Sequence, residues 1–155
     1  MAGFLGEYPC SIDNKGRVKL PAALKKQLDP AINGRFVVNR GFEKCLVLYP
    51  YDEWEKITAR VNQLNTFNKQ NREFVRYFYR GATELVLDSA DRILLPKHLL
   101  EYGNIQNELL LAARINVIEI WNPQNYEKLM SMDSEQFEDL AERVMGDKNL
   151  NDDPS

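Results

Sequence analysis

The hydrophobic and polar positions of the chain predict strands and helices in the same order twice. Strands are indicated where apolar and β-branched residues run or alternate between turn signals, and helices where apolar residues recur every three or four positions. In the first half these patterns predict strands over Gly6–Ile12, Arg17–Leu20, Phe36–Asn39 and Cys45–Tyr49, and helices over Ala22–Leu28, Tyr51–Leu64 and Asn65–Tyr79. In the second half they predict strands over Ala82–Leu87, Arg92–Leu95, Leu109–Ala113 and Val117–Trp121, and helices over Lys97–Glu101, Pro123–Met132 and Ser134–Met145.

The residues themselves repeat as well as the pattern. Asp13, Arg17 and Pro21 return seventy-five residues later as Asp88, Arg92 and Pro96. Leu46–Pro50 returns as Ile118–Asn122 at an offset of seventy-two, so the second copy has lost about three residues in between. Two matched blocks in the same order indicate an internal duplication.

The duplication divides the chain into a first half (1–64), a linking helix (65–78), a second half (79–132) and an acidic C-terminal helix and tail (133–155). The elements predict an α+β fold of two pseudo-symmetric halves with C-terminal helices. Of the 155 residues, 44% are hydrophobic and 28% charged, as is typical of soluble globular proteins. No membrane span or secretory signal is visible, so we expect a cytoplasmic protein.

The net charge and the local charge of the chain point in opposite directions on whether the protein binds nucleic acid. The net charge of −3 argues against a nucleic-acid binder, but residues 133–155 hold eight acidic residues against two basic ones, which leaves +3 on residues 1–132. Five cations and no acid lie between Asn14 and Lys26: Lys15, Arg17, Lys19, Lys25 and Lys26. Local charge governs phosphate contact more than total charge does, so the objection is weakened.

Asp13 and Arg17 bracket a three-residue turn whose last residue, Gly16, suits the left-handed conformation. Asp91 holds that place in the second copy, and Asp tolerates the same conformation, so the two tips can share a backbone shape. Each Asp–Arg pair could be only a structural ion pair, worth about 0.2–1 kcal/mol. Alternatively, Asp positions Arg to read DNA, since a two-stranded ribbon fits the major groove and Arg binds guanine there. Spacing alone leaves both interpretations open.

The ordered motifs carry a resemblance to a known family. Phe4-x-Gly6 precedes Asp13-x-Lys15-Gly16-Arg17-x-x-x-Pro21, and Tyr79-Arg80-Gly81 precedes Asp88-x-x-x-Arg92-x-x-x-Pro96. This double pattern, from Phe4 to about Tyr126, resembles the MraZ family of bacterial transcriptional regulators. The resemblance implies an AbrB-like tandem swapped-hairpin β-barrel and a cytoplasmic, nucleoid-associated regulator. It also implies a homo-oligomeric ring, an octamer or dodecamer, that binds direct repeats of double-stranded promoter DNA in the division and cell-wall gene cluster.

Transferred residue by residue, the resemblance implies DNA contact by Asp13, Asn14, Lys15, Gly16, Arg17, Lys19, Arg80, Asp88 and Arg92. Two departures matter: Leu5 stands where the family often has Arg before the Gly, and Ala90 and Asp91 replace Lys15 and Gly16 in the second tip. We therefore expect the first tip to make the main DNA contact. Arg17 would read bases, Lys15 and Lys19 would touch phosphate, and Arg92 would contribute less.

Other features predict no enzyme. His98 is the only histidine, and the sequence offers no zinc set, nucleophile–base pair or phosphate-binding glycine loop. We therefore expect no metal, cofactor or small-molecule substrate. Lys69, Arg72, Arg76 and Arg80 form a helical stripe, for which a solvated face is the default and a subunit or phosphate contact the alternative. The rival function is a ring-forming protein-interaction or scaffold module whose Asp–Arg pairs are structural.

Overall fold

The computed structural model of the protein describes residues 3–146, so the tail after Gly146 lies outside the described residues. The first half forms β1 (Phe4–Ser11), β2 (Arg17–Lys19), α1 (Ala22–Lys25), a 3₁₀ turn (Pro30–Ile32), β3 (Arg35–Arg40), β4 (Leu46–Pro50) and α2 (Tyr51–Val61). Helix α3 (Lys69–Tyr79) then leads to β5 (Thr83–Val86), β6 (Arg92–Leu94), α4 (Lys97–Tyr102), β7 (Glu108–Ile115), β8 (Val117–Trp121), α5 (Pro123–Leu129) and α6 (Ser134–Met145). The predicted α+β fold with two tandem halves and C-terminal helices is confirmed.

Strands of the two halves pair with one another. One antiparallel sheet has the strand order β1-β7-β8-β4-β3-β5, and β2 pairs with β6 in a separate two-stranded sheet. Strand β1 of the first half therefore pairs with β7 of the second half, and β5 of the second half pairs with β3 of the first. This exchange is the swapped-hairpin arrangement that the family resemblance implied.

A local two-fold axis relates the halves. In the β2–β6 ladder the central partners are Val18 and Ile93, which are equivalent residues of the two copies. In the β4–β8 ladder the central partners are Val47 and Glu119, again equivalent residues. Since equivalent residues can face each other only on a two-fold axis, the axis passes through both pairs.

The core is shared by both halves. Fully buried side chains come from the first half and from the second: Val18, Leu24, Phe36, Leu48, Ile93, Leu99, Leu111 and Ile120. Along β2, β4 and β6 buried residues alternate with more exposed ones, as expected for strands with one buried face, whereas Phe36–Asn39 of β3 are all buried. The described residues divide into two compact units after Pro123, so the paired strands of both halves belong to one unit.

Several predicted helices have different bounds in the structure. Helix α1 ends at Lys25 rather than Leu28, and α4 extends to Tyr102 rather than Glu101. The Asn68 side chain accepts a hydrogen bond from the Asn71 N–H (3.1 Å), so α3 begins at Lys69 rather than Asn65. Helix α2 correspondingly ends at Val61 rather than Leu64. Phe67, predicted on the apolar face of α3, precedes the helix and is 94% exposed.

Helix α5 ends at Leu129 rather than Met132, and a new helix begins after Asp133. The Asp133 carboxylate accepts a hydrogen bond from the Gln136 N–H (2.8 Å), and the Gln136 side chain accepts one from the Asp133 N–H (3.0 Å). This reciprocal capping fixes the start of α6, whose predicted bounds are confirmed. No helix within residues 3–146 has the length and apolar content of a membrane span.

Candidate nucleic-acid interface

The two Asp-x-x-x-Arg tips have the same backbone conformation. The Asp13 N–H donates to the Arg17 carbonyl at 3.0 Å, and the Asp88 N–H donates to the Arg92 carbonyl at the same distance. The last turn residue is left-handed in both tips, with φ of 88° at Gly16 and 60° at Asp91. The prediction of a shared backbone shape is confirmed.

Each Asp closes its own turn. One Asp13 oxygen, Oδ1, accepts hydrogen bonds from the N–H groups of Lys15 (2.9 Å) and Arg17 (2.8 Å). The other oxygen, Oδ2, lies 2.7 Å from Nε of Arg17. In the second tip Asp88 makes the same three bonds at 2.8–2.9 Å. The carboxylate thus determines both the shape of the loop and the direction of the guanidinium.

These bonds hold both carboxyl groups in the charged form. The Arg17 backbone N–H, followed by its side chain and the Lys15 N–H, lowers the pKa of Asp13 to about 2. The Arg92 backbone N–H similarly lowers the pKa of Asp88. Both carboxylates therefore stay ionised across the neutral and mildly acidic range.

Each guanidinium uses only one of its nitrogens within the tip. Nε binds the carboxylate, and within residues 3–146 no hydrogen bond to protein is made by the terminal nitrogens of Arg17 or Arg92. The two side chains are 31% and 35% exposed. A guanidinium anchored at Nε presents a fixed pair of donors, which suits the bidentate acceptors of guanine or phosphate.

The short β2–β6 ladder gathers cations from both copies on one face. Val18 and Ile93 are buried on its inner face, so residues on either side of them in each strand point outward. On the outer face Lys19 lies opposite Arg92, and Arg17 lies opposite Leu94. Sequence reasoning expected each ribbon within one copy, whereas this two-stranded ribbon forms between the copies.

The two tips differ in one ion pair. Lys25 Nζ of α1 lies 2.7 Å from the Asp91 carboxylate. In the first tip the side chains next to Gly16, the equivalent of Asp91, are apolar. A methyl group added at Gly16 would lie 3.6 Å from a methyl group of Leu100, which is the equivalent of Lys25. The acidic residue of the second tip is thus paired with a cation of the first half.

Sequence reasoning counted Lys25 only as one of five cations and did not foresee this pairing. A signal was nevertheless present in the repeat. Lys25 aligns with Leu100 and Asp91 with Gly16, so the copies differ in complementary ways at two positions that touch.

The other predicted site residues occupy different surroundings. Asn14 and Lys15 are exposed on the first loop. Arg80 is exposed at the end of α3, and within the described chain no hydrogen bond or ion pair joins it to either tip. The motif glycine that follows it, Gly81, has a φ of 91°, as its equivalent Gly6 has 114°, which explains glycine at both positions.

The shared core, exchanged strands and paired loops define an AbrB-like swapped-hairpin protein with both halves in one chain. The chain belongs to the MraZ family, whose model, described as "MraZ protein, putative antitoxin-like", matches residues 4–77 and again 78–148. It is similar to proteins called "Transcriptional regulator MraZ" from Christiangramia forsetii (43% identity over 97% of both chains) and Flavobacterium psychrophilum (40% identity over 99% of this chain and 97% of the relative). A relative of the same name from Pediococcus pentosaceus is 37% identical over 92% of this chain and 96% of its own.

Proposed function

We propose that the protein is a non-enzymatic, sequence-specific DNA-binding transcriptional regulator. The observation that carries this proposal is the Asp–Arg geometry, in which Asp13 and Asp88 hold each guanidinium at Nε and leave its outer nitrogens available. A structural ion pair alone does not need donors held outward in this way. The name of the relatives, "Transcriptional regulator MraZ", supports the same function.

In this proposal the first tip makes the principal contact. Arg17 reads base edges in the major groove, and Lys15 and Lys19 bind phosphate. Asn14 and Gly16 shape the loop at the DNA surface, and Asp13 positions Arg17. In the second tip Asp88 positions Arg92, which adds a weaker contact next to Lys19. Arg80 serves as a supporting phosphate contact outside the ribbon.

We further propose that the protein acts as a closed ring, an octamer or dodecamer, on direct repeats in promoter DNA of the division and cell-wall gene cluster. It would act in the cytoplasm, associated with the nucleoid. One tip covers little DNA and binds weakly, whereas a ring holds several tips at fixed spacing and raises their effective concentration on repeated sites. Phe42 (99% exposed) and Tyr77 (69%) line one apolar groove, and their exposure supports self-association, because a monomer rarely leaves such a patch in water. Phe67 is 94% exposed as well.

The test is Arg17→Ala, with DNA binding measured by fluorescence anisotropy against salt. We expect a loss of about 1–3 kcal/mol in binding to repeat DNA, with an unchanged oligomeric state by light scattering. Lys56→Ala serves as the matched control, since Lys56 is an exposed cation paired with Glu53 on α2. Wild-type affinity should fall steeply as salt rises.

A second function is favoured by the exposed aromatic residues, namely a ring-forming protein-interaction or scaffold module. In that case the Asp–Arg pairs only close the loops. Arg17→Ala would then bind repeat DNA as wild type does, or would destabilise the protein without a specific loss of binding.

A further inference from the structure

An apolar groove lies between α2, α3 and the β3–β4 hairpin. It has a volume of about 520 Å³ and is lined by aromatic and aliphatic side chains, among them Phe42, Ile57, Leu64, Phe74, Tyr77 and Phe78. Tyr77 is 69% exposed and Phe74 is 45% exposed, so the apolar surface is open to water. Phe78, one of the lining residues, stacks on Trp54 with the ring centroids 5.5 Å apart.

Two cations, Arg40 and Arg60, line this groove, and its lining residues within the described chain include no acid. The stripe of Lys69, Arg72 and Arg76 lies on the opposite face of α3 from Phe74 and Phe78, so it is not part of the groove. An occupant should therefore combine an apolar face with negative charge.

Helix α6 has that combination. Phe137, Leu140, Ala141 and Val144 recur at the spacing that forms one helical stripe. Phe137 is 64% exposed and the neighbouring Met145 is 66% exposed. The polar positions of α6 carry four acids, Glu135, Glu138, Asp139 and Glu142, against the single cation Arg143.

A twelve-residue helix with no buried side chain has little to stabilise it alone. Isolated helices shorter than about 12–15 residues are marginal in water, and most helical stability in proteins comes from packing of the apolar face. The capping box at Asp133 fixes where α6 starts but covers none of its apolar stripe. Helix α6 therefore needs a surface to pack on.

We propose that α6 of one copy docks in the α2–α3 groove of a second copy. Each surface carries exposed apolar side chains, and the two are opposite in charge, since Arg40 and Arg60 line the groove and acids predominate on α6. A contact between two different surfaces is head-to-tail, and such contacts close into rings when the rotation between copies allows it. This inference rests on the proposed ring and names the surfaces that build it.

The experiment uses two single variants of the full chain. Tyr77→Glu places a charge in the groove, and Phe137→Glu places one on the helix stripe. Each variant alone should remain a monomer of 18.0 kDa by light scattering at a concentration where wild type is assembled. Mixed in equal amounts they should form a species of twice that mass and nothing larger, because one intact groove and one intact helix meet.

Control variants distinguish a lost contact from a misfolded protein. Both altered residues are mostly exposed, so the thermal unfolding midpoint should match wild type, and Phe42→Glu and Met145→Glu supply second variants of each surface. Val86→Glu, at a position 58% exposed on β5, is the matched control and should assemble as wild type does.

Four outcomes would overturn the inference. Assembly of either variant as in wild type would show that its surface is not used. Two variants that stay monomeric after mixing would show that the groove and the α6 stripe do not bind each other. If Tyr77→Glu prevents assembly but Phe137→Glu does not, the groove binds something other than α6. A monomeric wild type would refute the ring together with this interface, whereas DNA binding that depends on Arg17 would still stand.

Discussion

Lys25 and Asp91 form an ion pair of 2.7 Å that joins helix α1 of the first half to the tip of the second. The pair places a cation next to the only acid that distinguishes one tip from the other. It therefore balances a charge that would otherwise lie on the surface proposed to contact DNA. The two tips resemble each other in charge more than their sequences indicate.

The first prediction follows from this pairing. Lys25→Met should weaken DNA binding about fivefold, since an uncompensated charge near a phosphate costs about 1 kcal/mol in water. Asp91→Gly, which copies the first tip, should remove the dependence on Lys25, so that Lys25→Met has no effect in that background. The measurement is a double-mutant cycle of dissociation constants by anisotropy. Equal losses in both backgrounds would mean that Lys25 itself contacts phosphate.

The second prediction concerns Leu94, which is the equivalent of Lys19 on the outer face of the β2–β6 ribbon. Leu94→Lys should add a fourth cation to Arg17, Lys19 and Arg92, and so tighten DNA binding. One additional phosphate contact should steepen the slope of log affinity against log salt by about 0.9. Leu94→Gln, polar but uncharged, is the control. An unchanged slope would argue that the outer face does not lie against DNA.

The third prediction is a titration. In the folded protein the Asp13 pKa is about 2, below the usual value of about 3.9 in an unfolded chain. A lowered carboxyl pKa stabilises the fold above the unfolded value, and that stabilisation is lost as pH falls from about 4 through about 2. Carbon-detected NMR of the side-chain carboxyl should show the midpoint near 2.

The Arg17→Ala variant separates the causes of that shift. The Arg17 backbone N–H is the largest cause, and alanine keeps it. The midpoint should therefore rise only part of the way to the unfolded value. A full return would show that the guanidinium, rather than the backbone, holds the carboxylate in its charged form.

The fourth prediction tests the turn geometry. Gly16 has a φ of 88°, and an added Cβ would lie 3.0 Å from the Leu95 carbonyl oxygen. Gly16→Ala should lower the free energy of unfolding by about 1–2 kcal/mol, the cost of a left-handed residue with a side chain. Urea denaturation measures it. Lys15→Ala is the matched control and should change stability by less than about 0.5 kcal/mol, because Ala90 already occupies that place in the second tip.

Local features of the fold could be predicted from sequence, because they depend on neighbouring residues. Gly16 and Asp91 indicated the left-handed turn ends, and the structure has them there. The start of α6 depends on Asp133 and its near neighbours, and its predicted bounds are confirmed. The start of α3 was wrong because apolar spacing over Asn65–Tyr79 outweighed the capping signal of Asn68.

Relationships between the halves lay beyond sequence reasoning from the residues alone. The β2–β6 ladder and the Lys25–Asp91 pair join positions about seventy residues apart, and no local pattern specifies which strand edges meet. The exchange of β1 and β5 was foreseen only through the family resemblance. The groove between α2 and α3 also depends on how separate elements pack, which periodicity does not encode.

The exchange of β1 and β5 makes the protein a tethered dimer. Two separate chains of this design would have to find each other, and their folding would depend on concentration, whereas the covalent link through α3 makes it a unimolecular event. The link also frees the halves to diverge, since a substitution no longer appears on both sides of the axis. The ribbon shows this divergence, because Lys19 lies opposite Arg92 whereas Arg17 lies opposite Leu94. A molecule folded as a symmetric pair thus has an asymmetric outer face, which suits the asymmetric DNA sequence that we propose it reads.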